Sequence, residues 1–340
     1  MKRIPKPTST DRISGSRIGG DPLDLTHLAA VPLKLVALGP RGTLRLYLIG
    51  CGGTGSWLAP HVVRLARFLR ETHGMNVQAT FIDPDVVEPK NIYSQNFCQA
   101  EIGAHKAETL ALRLGPAWCV EIGVQVARFD SKMVEHQYGD IGLLIGCVDN
   151  AGARKTIADA LDHTGHGWNN GAYSSDAPPL PQLWWLDAGN GENTGQVLLG
   201  STSSPKILRC AFPHYPDSTY CVHLPAPHLQ HPDLLETRPD EPKTSEAPSN
   251  ISCAQMVWTG DQSPSINSMV ANIAASYLWR MFTDRRGLTT FATYCNLEAM
   301  SVRSRYIMPE GIGAVLDKPA AWFEQRKSAN RMMHPIARVA

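Results

Sequence analysis

The sequence predicts an α/β fold built on one mixed sheet, with a parallel half, an antiparallel continuation and helices on both faces. Three observations carry this. Strand-length apolar runs alternate with segments of helical period over roughly the first 165 residues, as parallel strands joined by crossover helices require. One run, Ile141–Val148, is apolar almost throughout, which marks a strand covered on both faces. Beyond residue 180, two short apolar runs flank a glycine-rich turn, a pattern that favours antiparallel pairing.

In chain order, Leu44–Ile49 reads as a strand ending in the glycine turn Gly50–Gly55. Trp57, Leu58, Val62, Val63, Leu65, Ala66 and Leu69 then recur at helical spacing. A second strand, Val77–Ile82, stops at Asp83-Pro84-Asp85. A helix fits Lys106–Leu114, a strand Val120–Val126, and Ala153–Leu161 resumes helical period after Asp149-Asn150. Leu183–Leu186 and Gln196–Leu199 read as strands, with Trp184 and Trp185 as core. A helix begins at Ser263-Pro264, its apolar stripe running from Ile266 to Met281, and the last strand includes Thr290–Leu297. Residues 1–22 are expected to form a mobile arm, 23–308 one domain with a long mobile loop at 203–252, and 309–340 a tail.

Bulk composition excludes several classes. Lys+Arg 32 against Asp+Glu 31 leaves no basic excess to neutralise phosphates, so no nucleic-acid partner is expected. No apolar run approaches membrane-spanning length, and no membrane partner is expected. Eight cysteines are scattered without a Cys-x-x-Cys pair. This suits a reducing cytoplasm and gives a structural zinc no support.

The glycine turn has a physical use. A backbone without side chains can approach a phosphate closely, and the following helix offers unpaired N–H groups and a positive dipole end. Plain tight-turn geometry is the alternative. Its place after a strand and before a helix favours a Rossmann-like nucleotide-binding half at about residues 40–165. Asp83, at the end of the next strand, stands where such sites place an acid on the ribose hydroxyls; otherwise it is an ordinary turn residue before Pro84.

Four motifs then occur in order. Asp83-Pro84-Asp85-Val86-Val87 leads into Asn91-Ile92-Tyr93-Ser94-Gln95-Asn96; next come Gly103-Ala104-His105-Lys106-Ala107 and Gly146-Cys147-Val148-Asp149-Asn150 with Arg154. The series resembles the signature of the ThiF/MoeB/E1 adenylyltransferase superfamily. Among its branches it looks most like the ThiF-like proteins of PRTRC plasmid systems. The resemblance covers about residues 40–200.

That resemblance implies ATP-dependent adenylation of the C-terminal carboxylate of a small ubiquitin-like protein or peptide ending in glycine, in a homodimer with Mg²⁺. It implies nucleotide contacts from Gly50, Gly52, Gly53, Gly55, Asp83, Asp85, Asn91, Gln95 and Lys106. Lys106 would bond phosphate oxygens and Asp149 would associate with the metal, although an ordinary helix lysine and a helix-capping aspartate are the plain alternatives. Cys253 matches a cysteine that in some relatives precedes the last core helix, and could accept the acyl group as a thioester; a buried structural thiol is the alternative.

Two departures bear on activity. Ser94 stands where the family has an arginine, so another arginine (Arg17, Arg41 or Arg154) would have to substitute, or catalysis would be weak. The family's paired zinc cysteines are missing as well. Two readings from other classes therefore stand beside adenylation: a nucleotide-binding module with weak or lost catalysis, and an NAD(P)-dependent oxidoreductase. The second shares the glycine turn and Asp83 but has no use for Lys106 and Asp149 as placed.

Overall fold

The computed structural model describes residues 26–35, 38, 41–135, 137, 139–167, 180–237 and 264–324. Eight strands form one sheet: β1 (Thr43–Ile49), β2 (Asn76–Ile82), β3 (Ile122–Gln125), β4 (Ile141–Gly146), β5 (Leu183–Asn190), β6 (Thr194–Gly200), β7 (Thr290–Asn296) and β8 (Ser301–Tyr306). Their order is β3-β2-β1-β4-β5-β6-β7-β8. Neighbours from β3 to β5 are parallel, and those from β5 to β8 are antiparallel. Strand order reverses between β1 and β4, so a crevice opens beyond their carboxyl ends.

Seven helices accompany the sheet among the described residues. They are α1 (Gly53–His73), α2 (Lys106–Trp118), α3 (Ala151–Gly167), the single turns α4 (Pro205–Leu208) and α5 (Pro227–Gln230), α6 (Pro264–Thr283) and α7 (Pro309–Leu316). Strand alternation sorts them. Leu44, Leu46 and Leu48 join the large core under α1, α2 and α6, while Tyr47 and Ile49 join a smaller core under α3. The adjacent Trp184 and Trp185 point to opposite faces, and both are fully buried because both faces are covered. Each buried leucine or isoleucine stabilises this arrangement by about 1.5–3 kcal/mol.

α1 begins directly out of the glycine turn and ends where Gly74 takes a left-handed φ of 63°, its N–H capping the Leu69 carbonyl. β5 runs four residues beyond its apolar stretch, because pairing with β6 carries the polar end Asp187–Asn190 along. The amino ends of the parallel strands are tied down by Arg45. Buried in β1, it donates to Asp140 at 2.7 Å and pairs with Glu135.

Two regions differ from the sequence expectation. Residues 203–237, placed in a long mobile loop, pack against the sheet through Leu208, Phe212 and Leu224, all fully buried. These anchors are irregularly spaced among prolines, so no period announces them. Residues 309–324, placed in a tail, form α7 and a final 3-10 turn whose Phe323 lies edge-on to Phe212 at 4.9 Å. β8 follows a four-residue turn and extends the sheet by one further strand.

Candidate functional site

The glycine turn joins β1 to α1 at the point where strand order reverses. Gly50 has φ +87°, and a Cβ there would fall 2.6 Å from the Cys147 carbonyl, so the β1 and β4 ends meet backbone to backbone. A Cβ on Gly55 would lie 1.9 Å from the Gly50 carbonyl; only glycine lets the helix fold back this tightly. Gly52 differs. A Cβ there would meet nothing closer than the Gln95 amide at 3.8 Å, an ordinary contact without a clash. α1 has no side-chain cap on its first N–H groups, which leaves them available to an anion.

Asp83 is buried and locks the turn. It accepts from the Cys51 N–H at 2.5 Å and the Asp85 N–H at 2.8 Å. Burial pushes its carboxyl above the usual carboxylate range, against the opposing pull of those two bonds and of Lys106. Lys106 is the first residue of α2 and is buried, with Nζ 3.1 Å from Asp85. A cation at a helix N-terminus sits against the dipole, so local helix energetics do not account for it.

Asn150 caps α3 by accepting from the Ala153 N–H at 2.8 Å. The capping alternative for Asp149 therefore goes to its neighbour, and the Asp149 carboxylate stays exposed, with a 3.3 Å contact from the Asn150 amide as its one hydrogen bond among the described residues. Gln95 directs a buried Oε1 that has no protein partner among the described residues. Trp57 and Asn267 hold the adjoining Ser94 carbonyl, each at 3.2 Å.

One cavity of about 830 Å³ collects Gly50, Gly52, Gly53, Asp83, Asp85, Gln95, Lys106 and Asp149. Gly55 lies behind the turn. Asn91 is buried apart from the cavity, where its Oδ1 accepts from the Glu88 N–H and closes the Pro89–Tyr93 turn. Cys253 and Arg17 lie outside the described residues. Arg41 precedes β1 and is about 20 Å from its carboxyl end, the length of a seven-residue strand. Arg154 is buried and bound to Asp187 at 3.1 Å. Arg128, which no motif singles out, lines the cavity from beyond β3.

A family model described as the ThiF family matches residues 42–310. The chain belongs to the ThiF family. This ThiF-family chain is also similar to solved structures of PaaA (13% identity, TM-score 0.45) and of E. coli MccB with ATP (13%, TM-score 0.44); each match covers 78% of this chain and 64% of the other. E. coli MccB with AMPCPP and MccA matches at 12% identity and TM-score 0.42, with the same coverage. The chain thus spans less than two thirds of the length of these structures. No curated protein matches it significantly. No helix among the described residues is long and apolar enough to cross a membrane.

Proposed function

We propose that this ThiF-family chain uses ATP to adenylate the C-terminal carboxylate of a peptide or small ubiquitin-like protein. One observation carries the reading. A single cavity at the β1/β4 switch point holds an open glycine turn, a buried acid, a buried helix-terminal lysine and an uncommitted carboxylate. The fit to a nucleotide is physical: Gly52 leaves room for a phosphate, the α1 N–H groups face it, and Gln95 Oε1 lacks a partner.

In the reaction a carboxylate oxygen bonds to the α-phosphorus while the bond to the bridging oxygen breaks, releasing pyrophosphate. Two anions meet, so positive charge must already be in place. Lys106 supplies it once a phosphate competes with Asp85 for the ammonium. Asp83 would take the ribose hydroxyls on its remaining lone pairs. Among the described residues no three metal-ligating side chains converge. Mg²⁺ commonly needs only one or two protein carboxylates beside phosphate oxygens, and Asp149 fits that part. The ion would spread the charge on the phosphates.

Thioester transfer to Cys253 and a homodimeric assembly belong to the same reading. Cys147 lines the cavity, but burial raises its thiol pKa and so disfavours the thiolate that acyl transfer needs. The position of Ser94 favours a second reading, a nucleotide-binding module with weak chemistry. The only arginine lining the cavity among the described residues, Arg128, approaches from the β3 side.

ATP–pyrophosphate exchange driven by peptides with a free C-terminal glycine tests the proposal. Exchange that requires peptide and Mg²⁺ is expected. ATP binding without exchange under any peptide supports the binding module, and binding of NAD but not ATP supports the oxidoreductase.

A further inference from the structure

The cavity meets a second, shallower trough of about 500 Å³ over the antiparallel strands, and Asp149 and Asn190 line both. The trough floor is a cross-strand row. Gly189 faces Gln196, Gln196 faces Tyr294, and Tyr294 faces Arg303, so the row runs from β5 to the edge strand β8. At the near end, the Arg154 guanidinium lies over Gly189, but Asp187 already neutralises it. At the far end the balance changes. Arg303 and Arg305 are exposed on β8, and neither has an acidic partner among the described residues. Arg305 lies over the Tyr294 ring at 5.7 Å, and the Tyr294 hydroxyl is 2.7 Å from His231 Nε2. The ring is thereby held between the Arg305 guanidinium on its face and His231 at its hydroxyl, with Arg303 beside it in register.

We infer that the trough seats the C-terminal segment of the acyl substrate, and that Arg303 and Arg305 select an acidic side chain about four residues before the reacting carboxylate. The inference rests on the adenylation reading for the placement of that carboxylate near Asn190. The spacing is geometric. From β5 to β8 is three inter-strand steps, about 14 Å, and an extended peptide covers that in about four residues. The charge selection is chemical. A guanidinium offers a carboxylate two parallel N–H donors, and the chain as a whole has a net charge of only +1, so this pair is a local feature. Arg303 and Arg305 are specificity residues in this scheme and take no part in phosphorus chemistry.

The test uses the full chain and fluorescent octapeptides ending in a free glycine, with glutamate or glutamine scanned through each position. Anisotropy reads binding, and pyrophosphate exchange reads turnover on the same peptides. Glutamate at or next to the fourth residue from the end is expected to tighten binding about tenfold over glutamine, on the scale of a partly desolvated charge pair. The exposed double variant Arg303→Glu/Arg305→Glu should abolish that preference and transfer it to lysine at the same position. No peptide binding, a preference independent of position, or a preference unmoved by the charge swap overturns the inference. Arg303-dependent binding without exchange leaves the acid-selecting peptide site standing and sinks adenylation. Exchange indifferent to the acidic residue does the reverse.

Discussion

The cavity beyond the parallel strands and the trough over the antiparallel strands share a wall but treat charge in opposite ways. In the cavity, charged groups are largely answered within the protein: Asp83 by two backbone N–H groups, Lys106 by Asp85, and Arg154 by Asp187 at the boundary. In the trough, Arg303 is exposed and Tyr294 is half-buried, and Arg305 next to it is exposed as well. A site that must hold buried charge near a polyanion has to be assembled before the ligand arrives, because an unpaired buried ion costs several kcal/mol. A surface that chooses among partners can leave its charges in water. The first kind of site resists substitution, and the second tolerates it.

The sharpest way to break the contrast is at the boundary pair. Arg154→Met should destabilise the protein by about 3–5 kcal/mol, because Asp187 is then buried without a counter-charge. Burial already raises the Asp187 carboxyl, so the variant's native state binds a proton more readily than its unfolded state does. Its stability should therefore rise as pH falls from 7 toward 5. Denaturant midpoints at the two pH values measure this, and a variant no less stable than wild type would show the pair to be dispensable.

Lys106→Ala comes next and should cost less stability than Arg154→Met, because the partner it abandons, Asp85, is exposed to water. It should lower exchange roughly a hundredfold, the scale for removing one preorganised charge stabiliser. Equal exchange in wild type and variant would remove Lys106 from the chemistry. The glycine turn gives a smaller and more local comparison. Gly55→Ala drives a methyl into the Gly50 carbonyl and should cost about 1–3 kcal/mol of stability. Gly52→Ala makes only an ordinary contact with the Gln95 amide, so it should leave the fold intact and weaken ATP binding measured by calorimetry. If both variants lose the same stability, the space over Gly52 has a structural use.

The two regions also differ in how far the sequence discloses them. Around the cavity, backbone geometry demands particular residues. Gly50 and Gly55 are required by close approach, and the Asp83 and Lys106 segments carry recognisable motifs, so both the parallel half and these residues could be read in advance. Asn91 shows the limit: its motif position suggests a phosphate ligand, while its side chain closes a turn. The trough had no such signal. Gln196, Tyr294 and Arg303 are widely separated in the chain and become neighbours only through antiparallel register. Leu208, Phe212 and Leu224 bury themselves without a period, so residues 203–237 read as loop until the fold supplies the surface they cover.

That segment also carries the smallest predicted effect. His223 is buried between Val222 and Leu224, and neither ring nitrogen has a partner among the described residues. Burial disfavours the charged imidazole and pushes its pKa down to about 4. The unfolded chain, with a histidine pKa of about 6.5, binds the proton first as pH falls. Stability must therefore be full above about pH 6.5 and decline below it until the folded pKa is reached. Between pH 7.5 and 5.5 this single group should remove about 1 kcal/mol. The slope, not the absolute stability, is the readout, because His223→Leu also changes packing. Urea midpoints at both pH values should fall more for wild type than for His223→Leu, by about that amount. Equal falls would mean that the imidazole is protonated or hydrogen-bonded to water in the native state. No comparable penalty is expected from His231, which is only partly buried and bonded to Tyr294, with Asp233 opposing the downward push of burial on its pKa.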